Sequence, residues 1–376
     1  MTATPFSRES GNLSGRVGDF VSPWRGPRRD LAGTLPRLSL GVWPTPLVRA
    51  HRLERALGGG TLLVKRDDLA GFGVAGNKTR PLEFLLGAAA AQGAEVLVTG
   101  GGPGSNFCPA AAMAARAAGL DCELIVWGDP ASPNLALAAA AGATLLPTGG
   151  TRADADRAAI DELVTERAAE LCAAGRPAFA VPRGGSTELG AVGFAVAAAE
   201  LAQQLANQPA GHPVPSVIVL AVGSGGSCAG LLAGLAAVGL NVPVLGVSVS
   251  RPPELIGPRV LELARGCSRL LGTPAPDAGR LELLDARGPG FGVATDVERE
   301  RAGLALHTEG LLLDETYGAE ACSAAIDRLL ADPAAPVLLW HTGGLLPAVA
   351  ALRPSGTPVP SRTPVPSGTP VHRGAR

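Results

Sequence analysis

The sequence predicts an α/β protein whose mainly parallel sheets carry helices on both faces, a three-layer α/β/α arrangement built as two lobes or one large unit. Three observations lead there. At 376 residues the chain is longer than one hydrophobic core usually organises. Its composition, 46% hydrophobic and 17% charged with 51 glycines, suits packed layers and is too apolar for a disordered chain. Between residues 41 and 350, short β-branched or aliphatic runs alternate with Ala-rich stretches of helical length, the order expected of parallel strands joined by crossover helices.

The elements follow in chain order. Residues 1–40 are rich in Gly, Ser, Pro and Arg without apolar periodicity and read as a disordered leader. Strands are expected over 61–65, 95–99, 123–127, 143–146, 178–181, 217–222, 244–249 and 337–340. Helices are expected over 78–92, 106–118, 154–174, 187–204, 227–237 and 319–330. Residues 353–376 contain the units PSGTPV, PSRTPV and PSGTPV, whose proline density removes backbone donors and favours an extended, solvated tail. Ligands of such folds bind beyond the carboxyl ends of strands, where loops enter helices.

Charge and cysteine usage exclude several functions. Basic and acidic residues number 32 and 33, a net charge of −1, without the field of a protein that binds nucleic acid non-specifically. Small neutral or zwitterionic partners fit better. No run approaches the roughly 18 apolar residues of a membrane span, and no signal-peptide pattern opens the chain, so a cytoplasmic protein without a membrane partner is expected. Cys108, Cys122, Cys172, Cys228, Cys267 and Cys322 form no CxxC pair, which argues against disulfides and a structural metal.

Almost all basic residues are Arg; lysine occurs only at Lys65 and Lys78. Lysine, unlike arginine, can lose its proton and attack a carbonyl. The segment Gly76-Asn77-Lys78-Thr79-Arg80-Pro81 follows a glycine-rich loop and opens a helix, with Asn77 as N-cap. The helix dipole and nearby Arg80 would both lower the Lys78 pKa; the bland alternative is a surface lysine in a first turn. Val217–Val222 reads as a buried strand running into Gly223-Ser224-Gly225-Gly226-Ser227, an anion cradle without the GK[ST] ending of a triphosphate loop or the GxGxxG dinucleotide spacing. Simple tight strand–helix packing would also use these glycines. Thr99 to Asn106 forms a third such loop, suited to a carboxylate or to mere capping by Ser105 and Asn106. Thr342 could offer a hydroxyl to a ring nitrogen, and Tyr317, the single tyrosine, could move a proton; either could equally be a packed residue. Together, a reactive lysine, a phosphate cradle and a carboxylate site point to pyridoxal phosphate and a small amino-acid substrate.

The motifs GNKTRPLEFLL, GGGPGSN, PRGGSTELGAVGF, AVGSGGSCAGL, LLDETYGAEA and HTGG, in that order, resemble the D-cysteine desulfhydrase and 1-aminocyclopropane-1-carboxylate deaminase family of the tryptophan synthase β-like group, fold type II. The resemblance covers residues 43–350. It implies a large cofactor-binding domain over 41–80 and 190–350, a small inserted domain over 81–189, and a homodimer. It implies Lys78 as the Schiff-base lysine, Asn77 beside the cofactor, Gly223, Ser224, Gly225, Gly226 and Ser227 around the phosphate, and Thr342 near the pyridine nitrogen. Ser105 and Asn106 would serve the substrate carboxylate or proton transfer, with Phe107 and Tyr317 lining the substrate. The expected activity is that of a lyase, deaminase or hydrolase acting by β-elimination and deamination. A β-replacement synthase, a non-catalytic cofactor-binding homologue and a nucleotide-binding protein are the alternatives. The chain departs from the family where Gln-Ser-Asn-His/Gln becomes Gly104-Ser105-Asn106-Phe107, the helix continuing as Cys108-Pro109-Ala110 in place of a polar Arg-Gln pair. It departs again where Thr/Glu-Gly-Lys becomes Gly318-Ala319-Glu320. Lost donors change substrate preference, and Gly318 offers the ring nitrogen no side chain, which disfavours cyclopropane opening.

Overall fold

The computed structural model describes residues 31–149, 157–209 and 213–352. Two sheets organise them. The larger runs in the order β1 (Leu47–Arg49), β2 (Leu62–Arg66), β10 (Val337–His341), β7 (Val217–Val222), β8 (Val244–Ser248) and β9 (Leu281–Asp285). All its pairings are parallel except β1 against β2. The smaller sheet is wholly parallel, in the order β5 (Thr144–Pro147), β4 (Asp121–Val126), β3 (Val96–Gly101) and β6 (Ala178–Ala180). The α/β class with mainly parallel sheets is thus the observed one. The last strand, β10, lies between β2 and β7, so the two ends of the described chain meet at the centre of the larger sheet.

The helices are α1 (His51–Ala56), α2 (Thr79–Ala91), α3 (Phe107–Ala117), α4 (Pro133–Ala140), α5 (Arg157–Ala173), α6 (Glu188–Ala206), α7 (Gly226–Val238), α8 (Pro253–Leu271), α9 (Asp296–Glu309), α10 (Gly318–Ala331) and α11 (Leu345–Ala351). Those expected over 78–92, 106–118, 187–204, 227–237 and 319–330 lie where the sequence puts them, within a few residues. The helix expected to begin at 154 is described from Arg157 onward. The expected tail, 353–376, and leader residues 1–30 lie outside the described residues.

Five helices and two strands escaped the pattern. Pro253, Gly257 and Pro258 disguise α8, although its inner face, Ile256, Val260, Leu263 and Ala264, is buried. Charge disguises α9, which buries only Ala305; its signal was the reciprocal capping box of Thr295 and Glu298. Edge strands β1 and β9 are too exposed to show the unbroken apolar run of a central strand. The short α1, α4 and α11 carry too few turns for a clear 3.6-residue period.

Two expectations are corrected. The leader does not extend to residue 40, because Glu83 on α2 gathers residues 37–43 around one buried carboxylate. It accepts from Arg37 Nε at 2.9 Å, the Leu40 and Gly41 N–H groups, and Trp43 Nε1 at 2.9 Å. Gly87 lets this segment pass; a Cβ there would lie 2.4 Å from the Pro36 carbonyl oxygen. The second correction is α6, whose 19 residues are long and apolar enough to cross a membrane by length and composition. Its Ala- and Gly-rich surface lies against α2, α7 and α8 and is largely buried there.

Within that layer α6 carries Glu200 to a buried ionic cluster. Arg80 clasps Asp67 through two bonds of 2.7 Å and reaches Glu200 at 3.1 Å. Lys65, fully buried, donates to Glu200, to the Thr45 carbonyl at 2.7 Å and to Gln204 Oε1 at 2.7 Å. The Trp340 indole donates to Asp67 at 2.9 Å, and Trp43 stacks on Arg80. Burial alone would raise the Asp67 and Glu200 carboxyls, but the Arg80 and Lys65 charges hold both below the ordinary carboxylate range. Two cations thus balance two anions across β2, α2 and α6.

Candidate active site

The loops that follow β7 and β10 are both bonded to the turn that carries Lys78. The turn Gly76–Lys78 leads directly into α2, and Lys78 holds the N-cap position with helical φ −70° and ψ −18°. Asn77 does not cap the helix as expected. Its backbone N–H donates to the Thr342 carbonyl at 2.8 Å, and its side-chain Nδ2 donates to Ser227 Oγ at 3.1 Å. One residue thus pins the lysine turn to the loops after β10 and β7. Gly76 makes the first contact possible: a Cβ there would lie 2.6 Å from the Thr342 oxygen, and its φ of +52° suits glycine.

Among the described residues the Lys78 amine has no hydrogen bond or ion pair. Burial lowers its pKa to about 8. Arg80 does not contribute as expected, because its guanidinium is turned into the ionic cluster and neutralised there. With a pKa of about 8, roughly one amine in ten is uncharged at pH 7, compared with about one in 3,000 for an ordinary lysine.

The loop after β7 joins that strand to α7 through the expected glycine turn. Gly225 is left-handed (φ 96°) at the N-cap of α7, and the close approach of Ser186 leaves no room for a Cβ at Gly226, 2.8 Å from its Oγ. Ser186 Oγ donates to Ser224 Oγ at 2.6 Å and accepts from the Gly226 N–H at 3.2 Å. Sequence reasoning missed Ser186. Its signal was Gly184-Gly185 ahead of the α6 cap Thr187, two glycines at positive φ that bring the serine up to the cradle. The ring of Tyr317 lies over Gly223, where a Cβ would sit 3.1 Å from Cε1.

Tyr317 is set by Asp314, also missed. This buried carboxylate accepts from the Thr316 and Gly318 N–H groups at 3.2 and 3.0 Å, and Gly344 passes close against it. Burial pushes Asp314 up to about 6 and Glu320 up to about 8; the Glu320 Oε2 is buried without a hydrogen-bond partner. Phe291 stands edge-on to Tyr317, 5.9 Å between centroids, and a Cβ at Gly104 would lie 3.7 Å from its ring. A cavity of about 590 Å³ beside them is lined by Ser250, Arg287 and Phe291 among others.

On the facing side, Ser105 Oγ accepts from the Cys108 N–H at 3.3 Å, the cap expected of it, whereas Asn106 makes no capping bond. Phe107 does not line the opening as expected. Its ring, 2% exposed, packs into the core beside Leu85 and Gly185 because the third loop turns directly into α3 and directs position 107 inward.

The chemistry of this donor set fits pyridoxal phosphate: an uncharged-prone amine, a glycine cradle with serine hydroxyls, and a threonine loop tied to the lysine turn. These features define a pyridoxal-phosphate enzyme of the α/β type. The chain belongs to the pyridoxal-phosphate dependent enzyme family, whose model matches residues 38–343. It is 34% identical over 326 residues to a D-cysteine desulfhydrase of Salmonella choleraesuis, covering 85% of this chain and 97% of that one. The crystal structure of an ACC deaminase homologue superposes with a TM-score of 0.76 at 30% identity, covering 85% of this chain and 94% of the other. A Rhizomucor miehei L-serine ammonia-lyase shares the fold, with a TM-score of 0.60 at 22% identity over 84% of this chain and 98% of that one. Lyase and deaminase chemistry accord with these names; hydrolysis, the third expected label, finds no support in them.

Proposed function

We propose that this enzyme removes the β-substituent and the amino group of a small amino acid, releasing ammonia and a 2-oxo acid. The observation that carries this reading is the Lys78 amine, without a partner among the described residues and shifted to about 8, in a turn bonded to both the Ser227 and Thr342 loops. The names of the relatives supply the reaction type. When bound, the cofactor supplies a ring that withdraws electrons from the substrate α-carbon.

The chain's own residues do the rest. Lys78 would hold the cofactor through its aldehyde carbon and would carry the α-proton. The residues Gly223 to Ser227 would hold the phosphate through backbone N–H groups and hydroxyls, and Thr342 would serve the ring nitrogen. Asn77 keeps these three parts in register through its two bonds. Asn106 and the first turn of α3 receive the substrate carboxylate, with Ser105 or Tyr317 as the assisting acid or base. The large and small domains suggested by the sequence, a homodimeric assembly and a cytoplasmic location complete the proposal; light scattering tests the second.

Borohydride reduction of the holoenzyme followed by peptide mass spectrometry tests the lysine, and a panel of D- and L-amino acids assayed for 2-oxo acid and ammonia tests the reaction. The pyridoxyl label is expected on Lys78, with product release needing no second substrate. A label elsewhere defeats the site. Product that forms only with an added thiol or amine defeats elimination in favour of β-replacement.

A further inference from the structure

We infer that Asn134, at the start of α4, is a positioning residue that fixes the Asn106 carboxamide with its donor end toward the substrate carboxylate. The inference rests on the proposed role of Asn106. Asn106 sits at the N-cap position of α3, yet its backbone is already helical (φ −70°, ψ −13°) and its side chain makes no capping bond. Its carbonyl oxygen instead accepts from Asn134 Nδ2 at 3.2 Å. Asn134 is 3% exposed, whereas Asn106 keeps part of its surface open.

The geometry decides which end of an ambiguous group faces the ligand. A carboxamide carries an acceptor oxygen and a donor NH₂ on the same planar unit, and a 180° rotation about χ2 exchanges them. Once the oxygen is held by a buried donor, the NH₂ is the end left over. A carboxylate accepts only, so it binds the NH₂ and is repelled by the oxygen. The short Pro133-Asn134 opening of α4 thus matters to the site without touching substrate. The sequence carries no sign of this pairing, since residues 106 and 134 meet only when α3 and α4 pack together.

Asn134→Asp is the diagnostic change. Nearly the same shape, an aspartate kept ionised by working at about pH 9 can only accept, so Asn106 must turn its NH₂ toward it and show its oxygen to the substrate. Asn134→Ala removes the partner but leaves Asn106 free to choose. Holoenzymes of the wild type and both variants are titrated calorimetrically with glycine and with glycinamide, which lacks the carboxylate.

The wild type is expected to prefer glycine. Asn134→Asp weakens glycine about ten- to hundredfold, the scale of one hydrogen bond to a charged group, while glycinamide changes by less than about twofold. Asn134→Ala weakens glycine less than Asn134→Asp does. The gap persists at about 1 M salt, where charges are screened beyond about 3 Å. In turnover, KM rises while kcat holds.

A purely structural role predicts the opposite order, the cavity-forming alanine being at least as harmful and both ligands weakening together; that result overturns the inference. If the wild type discriminates but Asn134→Asp binds glycine normally, the carboxylate loop stands and Asn134 has no positioning role. Equal binding of glycine and glycinamide by the wild type removes the carboxylate role of Asn106, and the inference with it.

Discussion

The two lysines of this chain stand in opposite electrical surroundings. Lys65 is enclosed on β2, where Glu200, Gln204 and the Thr45 carbonyl take up its donors. Lys78, in the turn before α2, has no such partner among the described residues. Burial lowers both pKa values, but at Lys65 the charges of Glu200 and Asp67 pull the other way, whereas at Lys78 burial acts unopposed. The same side chain therefore serves as a structural rivet in one place and an amine ready to react in the other. The difference lies in the carboxylates, not in depth. Arg80 joins the two regions: by spending its charge on Asp67 and Glu200, it leaves the Lys78 turn without a neighbouring net charge.

The strongest break in this contrast is Lys78→Met. Turnover is expected to fall at least about a thousandfold through loss of the nucleophile, with no borohydride-fixed label on the protein. Next is Glu200→Ala, which strands Lys65 and Arg80 in the core; chemical denaturation should report a loss of about 3–5 kcal/mol. A Glu200→Ala protein as stable as wild type would refute the rivet.

Two pH-dependent effects follow from the shifted groups. The Lys78 pKa is lowered in the fold, so its protonated form is penalised below about pH 8 and the penalty fades as pH rises to 10.5. Cofactor-free Lys78→Met should therefore exceed wild type by about 3 kcal/mol at pH 7 and match it near pH 11. The Glu320 pKa is raised to about 8, so its ionised form is penalised, increasingly from pH 4.5 up to about 8. Glu320→Gln should gain about 4–5 kcal/mol at pH 9 and nothing at pH 4, read from denaturation midpoints. The smallest effect is expected of Ser186→Ala, which removes two hydrogen bonds at the cradle rim and should weaken cofactor binding by about 1 kcal/mol, roughly fivefold.

Much of the site was legible because its parts are local. A strand, a glycine turn and a helix lie together along the chain, so Gly223 to Ser227 and Gly76 to Lys78 declared themselves, and two lysines among 32 basic residues directed attention to position 78. Asn77 was chosen for the wrong bond, since its partners Ser227 and Thr342 lie 150 or more residues away. Ser186, Phe291 and Asn134 were passed over because each acts on a segment distant in sequence, and Asp314 because its local turn bonds gave no sign of its burial.

By itself the sequence determined the parallel α/β class and the local turns that carry Lys78 and Gly223 to Ser227, since periodicity, residue chemistry and turn geometry are properties of neighbours along the chain. Tertiary structure alone decided which lysine would be neutralised, where Phe107 would point and that Asn106 would pair with Asn134. Those outcomes depend on burial and on partners from other elements, and a carboxylate or amide donor exerts its pull through space within a few ångströms, whatever its separation along the chain.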